Sequence, residues 1–144
     1  EIAKRGVVNG NAEIKIAQEY RSSLGIKTPS VEQKVRNLSG GNQQKVVVGK
    51  AILTDARVLL LADPTRGIDI GAKMEMYKII HKLSDEGVTV LFYSTEMSEL
   101  VNLCDRVAVF KTGHVVKILE NEDITEHSII NHAMGMNEKG DAKE

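Results

Sequence analysis

From Asn11 to Leu24 the apolar residues Ile14, Ala17 and Leu24, with Ile16 and Tyr20, recur at helical spacing and predict a short amphipathic helix closed by Gly25. The segment before it, Glu1 to Gly10, is polar and glycine-containing and reads as a loop or a cut end. Pro29 disfavours helical geometry at Thr28, so Thr28-Pro29-Ser30 reads as a connection. A second helix is predicted over Asn42 to Leu53, capped by Ser39. Val58-Leu59-Leu60-Leu61-Ala62 is apolar without alternation and stops at Asp63-Pro64, the pattern of a strand buried on both faces. Ile70 to Glu86 has helical spacing through Met74, Tyr77, Ile79 or Ile80, and Leu83, with Gly87 as its stop. Val88 to Tyr93 reads as a second buried strand and Glu96 to Leu103 as a short helix. Arg106 to Phe110 and His114 to Leu119 are two further strands joined at Thr112-Gly113, and Thr125 heads a last helix through Met134. The tail from Gly135 reads as disordered.

Strand, helix, strand, helix, strand is the alternation of an α/β sheet with right-handed crossovers, and no solenoid repeat interrupts it. Such sheets carry chemistry at the C-terminal ends of their strands. Here those ends are Ala62-Asp63 and Ser94-Thr95-Glu96, so polar residues fall where a site belongs.

Composition narrows the function classes. The 144 residues are 42% hydrophobic and 27% charged, an ordinary globular balance for one domain. A net charge of -1 supplies no general field toward nucleic acid or an anionic membrane. With 3% aromatic residues and no Trp, base-stacking surfaces are not expected. The single Cys104 excludes an internal disulfide, fits a reducing compartment, and reads as core filling rather than a nucleophile. His81, His114, His127 and His132 lack metal-ligand spacing and read as surface residues, so no metal ligand is expected. No apolar run approaches the roughly 18–20 residues of a membrane span, and a cytoplasmic chain is expected.

Leu38-Ser39-Gly40-Gly41-Asn42-Gln43-Gln44-Lys45 carries the chemistry. A hydroxyl and two glycines at a helix N-terminus bare backbone amides toward an anion such as a phosphate. A plain serine cap beside a flexible glycine pair remains the alternative on these residues alone. The longer string resembles the signature motif of ABC-transporter ATPases, in the Asn-Gln-Gln form of bacterial sugar importers. Downstream, Ala62-Asp63-Pro64-Thr65-Arg66-Gly67-Ile68-Asp69 resembles the Walker B strand and D-loop, continued by Gly71-Ala72-Lys73. Ser94 to Glu99 resembles the switch region, and Cys104 to Val107 with Lys111 to Gly113 resembles the strand pair after it. Lys27 to Asn37 is similar to the approach to the signature motif in that subfamily.

The resemblance implies a partial P-loop NTPase fold, with a mainly parallel sheet flanked by helices. Residues 1–37 would be the end of the helical subdomain, 38–134 the core from signature motif onward, and 135–144 a tail. It also implies ATP-binding roles for Ser39, Gly40, Gly41, Asn42, Gln43 and Asp69. Three departures from the family pattern stand out. No G-x-x-x-x-G-K-[ST] string occurs, so the chain reads as the second part of a domain whose phosphate loop lies upstream. Ala62 takes the magnesium-orienting Asp position and Asp63 the general-base Glu position. Asp63 is one methylene short, and misplacement of about 1 Å can cost roughly 100-fold. A one-residue slip would give Asp63 the magnesium role but turn the strand's side chains to opposite faces. Glu96 occupies the switch-histidine position, as the second ATPase half of sugar importers often does.

Together these features imply a signature donor to a partner's ATP site, with a weak or inactive site of its own. ATP and Mg2+ would bind in the complete assembly and neither tightly to this chain. The implied partners are a second ABC ATPase domain, membrane permease subunits and, indirectly, a sugar-binding protein, at the inner face of the cell membrane. Self-association through uncovered apolar edges is also expected. A non-catalytic regulatory or binding module derived from such an ATPase is the competing reading. An ABC ATPase of DNA repair or translation is a third, disfavoured by the Asn-Gln-Gln-Lys and Arg-Gly-Ile-Asp-Ile-Gly-Ala-Lys strings.

Overall fold

A computed structural model describes residues 3–4 and 7–136, with side chains from Val8 onward. The predicted tail therefore lies outside the described residues beyond Met136. Two compact units divide the chain, Glu1–Leu91 and Phe92–Glu144.

In the first unit β1 (Ala3–Lys4) pairs antiparallel with β2 (Val7–Val8), where the sequence reads as a loop. Two-residue strands are too short for alternation to show, so backbone pairing alone decides them. Asn9 then starts α1 (Gly10–Ser23) by accepting a hydrogen bond from the Ala12 amide at 3.3 Å. The helix lies where the periodicity puts it, but none of its residues is fully buried and Ile14 is exposed. It ends at Gly25, whose φ of 59° is the left-handed turn that favours glycine. A 3-10 turn at Val35–Asn37 leads into α2 (Gly40–Ile52).

Next come β3 (Val58–Ala62), α3 (Ile70–Asp85) and β4 (Thr89–Tyr93), with β3 and β4 paired and the unit boundary inside β4. Helix α3 buries Met76, Ile79, Ile80 and Leu83, while Met74, expected on that face, is 52% exposed. The expected double burial of both strands is not met. Leu59 and Leu61 are inside, but Leu60 is 73% exposed, Val58 52% and Leu91 57%. An unbroken apolar run specifies two faces that want cover. The described residues bury only one.

In the second unit, α4 (Met97–Leu103) is followed by β5 (Arg106–Lys111), β6 (His114–Glu120) and α5 (Glu126–Met134). Strands β5 and β6 form the expected hairpin, registered from Arg106↔Glu120 to Lys111↔His114. Thr112 and Gly113 both have positive φ, as a two-residue turn between twisted strands requires. Val107, Val109, Leu119, Ile124 and Ile129 form its core, against which Leu100, Val101 and Cys104 pack. The Thr125 hydroxyl accepts from the Ser128 amide at 3.1 Å and starts α5 as expected.

The α/β character of the sequence holds, with one difference. The described strands make three two-stranded ladders rather than one mainly parallel sheet, and β1–β2 and β5–β6 are antiparallel. Among the described residues no helix is long and apolar enough to cross a membrane.

Candidate functional site

Helix α2 starts at Gly40, and Ser39 stands at its N-cap with extended backbone, φ −61° and ψ 156°. The predicted capping bond is not made. Among the described residues no side-chain cap bond to α2 is found, and the Ser39 Oγ instead accepts from Asn42 Nδ2 at 2.8 Å. Uncapped amides at a helix N-terminus carry partial positive charge and attract anions. The Gln43 side chain donates back to the Leu38 carbonyl at 2.8 Å, fixing the entry of the chain into the helix.

The two glycines have different surroundings. A Cβ on Gly41 would fall 2.5 Å from Ala72 Cβ, so α2 and α3 touch through a gap only glycine leaves open. A Cβ on Gly40 would meet Ile68 Cγ2 at 3.5 Å, an ordinary contact. The Ser39–Asn42 segment therefore lies directly against Gly67–Ala72. Asp69 caps α3, its Oδ1 accepting from the Ala72 amide at 2.9 Å. Two of the predicted motifs thus share one surface of the first unit.

Ala62 is the last residue of β3 and is exposed. Asp63 has left the strand with φ at 46°, a conformation uncommon outside glycine, and its carbonyl accepts from the Arg66 amide. Thr65 behind it is 2% exposed. Glu96 belongs to the second unit, where it precedes α4 and its amide donates to Ser94 Oγ at 3.0 Å. Ser94 Oγ in turn donates to Glu99, a carboxylate only 2% exposed.

Charge is organised around Lys45, the last residue of the motif, for which the sequence suggests no role. Its side chain is 3% exposed, and its ammonium donates to the Gly25 carbonyl at 2.9 Å and to Glu75 Oε2 at 2.5 Å. Lys27 lies 3.6 Å from the other oxygen of Glu75. The hydrogen bond from Lys45, then its charge, hold the Glu75 carboxyl below its usual range. A signal existed in the sequence: Gly41, Lys45 and Val48 occupy one helical stripe, and a lysine in a buried stripe needs a partner. Cys104 packs on the second unit's core. Burial, with a smaller push from Asp105, raises its thiol pKa, as befits a packing residue.

Residues 4–66 match the family model described as ABC transporter. The chain is 44% identical over 135 residues to the ribose import ATP-binding protein RbsA 1 of Rhizobium etli, covering 94% of this chain and 26% of that protein. It is 44% identical over 134 residues to the xylose import ATP-binding protein XylG of Thermoanaerobacter pseudethanolicus, covering 93% and 26%. The chain thus spans about a quarter of the length of these curated relatives. In fold it resembles the ADP conformation of the ATP-binding cassette MJ1267, with TM-score 0.73, 18% identity and coverage of 92% and 54%. It also resembles a dimeric post-hydrolysis state of the cassette MJ0796 bound to ADP and Pi, with TM-score 0.69, 24% identity and coverage of 81% and 50%.

Proposed function

We propose that this chain, which belongs to the ABC transporter ATPase family, supplies the signature half of an ATP site in a sugar importer. The observation that carries the reading is the N-terminus of α2. Ser39 is exposed there, the first amides are uncapped, and the segment packs on the Asp69 turn. In this arrangement the amides and hydroxyl face a γ-phosphate held by the phosphate loop of a second ATPase domain. The names of the ribose and xylose import relatives support a pentose-type cargo.

The chain's own nucleotide site is weak in this reading. Ala62 ends β3 with a methyl group where the family orients magnesium, so no carboxylate at that position holds the ion or its waters. Asp63 would act as a shortened general base from a left-handed turn, and Glu96 would place a carboxylate where a phosphate contact is needed. ATP and Mg2+ belong to the assembled site, and the permease and a second cassette are the partners, at the inner membrane face.

The test is to replace Ser39 with Trp in the complete transporter ATPase. The indole would fill the phosphate position in front of α2, and ATP turnover should fall at least about 100-fold, as for other losses of an aligned anion contact. Unchanged turnover would remove the signature-donor role.

A further inference from the structure

We propose that Asn42 is a positioning residue that sets the hydrogen-bond polarity of Ser39, and that the turn after α1 dictates the orientation of Asn42. The proposal rests on the reading of the α2 N-terminus as a phosphate contact and adds what makes its hydroxyl a donor.

The polarity follows from one backbone group. The Lys27 amide can only donate, and it lies 2.8 Å from the side chain of Asn42. The atom it meets must therefore be the carbonyl Oδ1, since two donors cannot bond. That choice puts Nδ2 at the other end, and Nδ2 can only donate. It does so to Ser39 Oγ at 2.8 Å. Ser39 is thereby an acceptor within the protein, and its own hydroxyl proton is directed elsewhere. Nearby stand the uncapped amides of α2, which are also donors. A hydroxyl proton and bare amides side by side, with no capping acceptor, match an anion and not a cation or a neutral acceptor-poor group.

The amide of Lys27 is itself held in place. Gly25, two residues earlier, turns at φ 59° and gives its carbonyl to the buried Lys45 ammonium. Lys45 and Lys27 share Glu75 on α3. The turn is tied to both helices, so Lys27 presents its N–H to Asn42 at a fixed place. A reoriented amide at Asn42 would face the Lys27 N–H with another donor and lose that hydrogen bond.

The discriminating substitution is Asn42→Asp, which keeps the shape and still offers an oxygen to the Lys27 amide. Its second oxygen accepts instead of donating, so the Ser39 proton turns inward and is lost to the phosphate. ATP turnover of the complete ATPase would be compared for wild type, Ser39→Ala, Asn42→Asp and the double variant, with thermal melts confirming that each remains folded. Ser39→Ala should lower kcat/KM roughly 10–100-fold, the loss expected for one hydrogen bond to a charged group. Asn42→Asp should lose at least as much alone, but far less when added to Ser39→Ala, because the hydroxyl it misdirects is gone. Equal factors in both backgrounds would mean that the new charge or a distortion acts by itself, and the relay would be wrong. If Ser39→Ala changes nothing while the melts are normal, the phosphate reading falls first and the relay with it.

Discussion

Replacing Gly41 with Ala places a methyl carbon 2.5 Å from Ala72 Cβ and 3.8 Å from Ala72 Cα. Carbon atoms rest at about 3.5–4.0 Å, so the start of α2 and the start of α3 must separate by roughly 1–1.5 Å. Neither partner can rotate away, because both are β-carbons fixed to helical backbone. Overpacking of this kind costs about 1–3 kcal/mol, and the better helix propensity of alanine returns up to about 1 kcal/mol. A net loss of about 1–2 kcal/mol is expected in a urea titration of the chain. Gly40→Ala is the matched control one residue away. Its Cβ meets Ile68 Cγ2 at 3.5 Å, so it should be neutral within about 0.5 kcal/mol or slightly stabilising. Gly49→Ala falls between them: its Cβ would be 2.8 Å from Leu24 Cδ1, the end of a side chain that can yield. The midpoints should rank Gly40→Ala above Gly49→Ala above Gly41→Ala. Equal midpoints for the Gly40 and Gly41 variants would refute the claim that α2 meets α3 through the Gly41 gap. If the α2 amides face a phosphate as proposed, the same separation in the complete protein should lower ATP turnover by about 100-fold.

Glu75 is held below its usual pKa by Lys45, so its ion pair stabilises the fold above the ordinary carboxylate pKa of 4.5 and is lost as pH falls through the lowered value. Glu75→Gln should therefore destabilise the chain at pH 7 and flatten the loss of stability on acidification; an unchanged acid slope would show that the pair does not form. Leu60 and Leu91 leave apolar surface on β3 and β4, and the chain should self-associate with rising concentration in light scattering. Leu60→Lys should reduce that association without lowering the melting temperature, since the side chain is 73% exposed; a wild-type chain that stays monomeric across concentrations would contradict it.

Much of the element order was legible because helix and strand periods are local. Helices α1, α2, α3 and α5 begin and end within about two residues of their capping and glycine signals, as such signals usually allow. Burial was less legible. Val58–Ala62 reads as a strand covered on both faces, yet which face is covered depends on other layers, and the sequence of a strand does not carry them. Met74 misleads for a related reason: its spacing fits the apolar stripe of α3, but the stripe centres on Met76 and Ile80. At the site, the motif residues Ser39 to Gln43 were visible as a string, while their directions were not. Whether Ser39 caps its helix or accepts from Asn42 turns on the Lys27 amide, which lies fifteen positions from Asn42. The Lys45–Glu75 pair, thirty positions apart, is a tertiary fact of the same kind.

Under the proposed function this chain meets ATP from across an interface, through the segment Leu38 to Lys45. An ATP analogue with a photoreactive group on its γ-phosphate, bound and illuminated in the complete transporter ATPase, would mark the segment that lies beside the nucleotide. The label should attach to the Leu38–Lys45 peptide of this sequence and should vanish in Ser39→Trp. Labelling confined to the peptide from Val58 to Asp69, with none on Leu38–Lys45, would rule out the signature-donor role and make the chain's own strand end its point of contact with nucleotide.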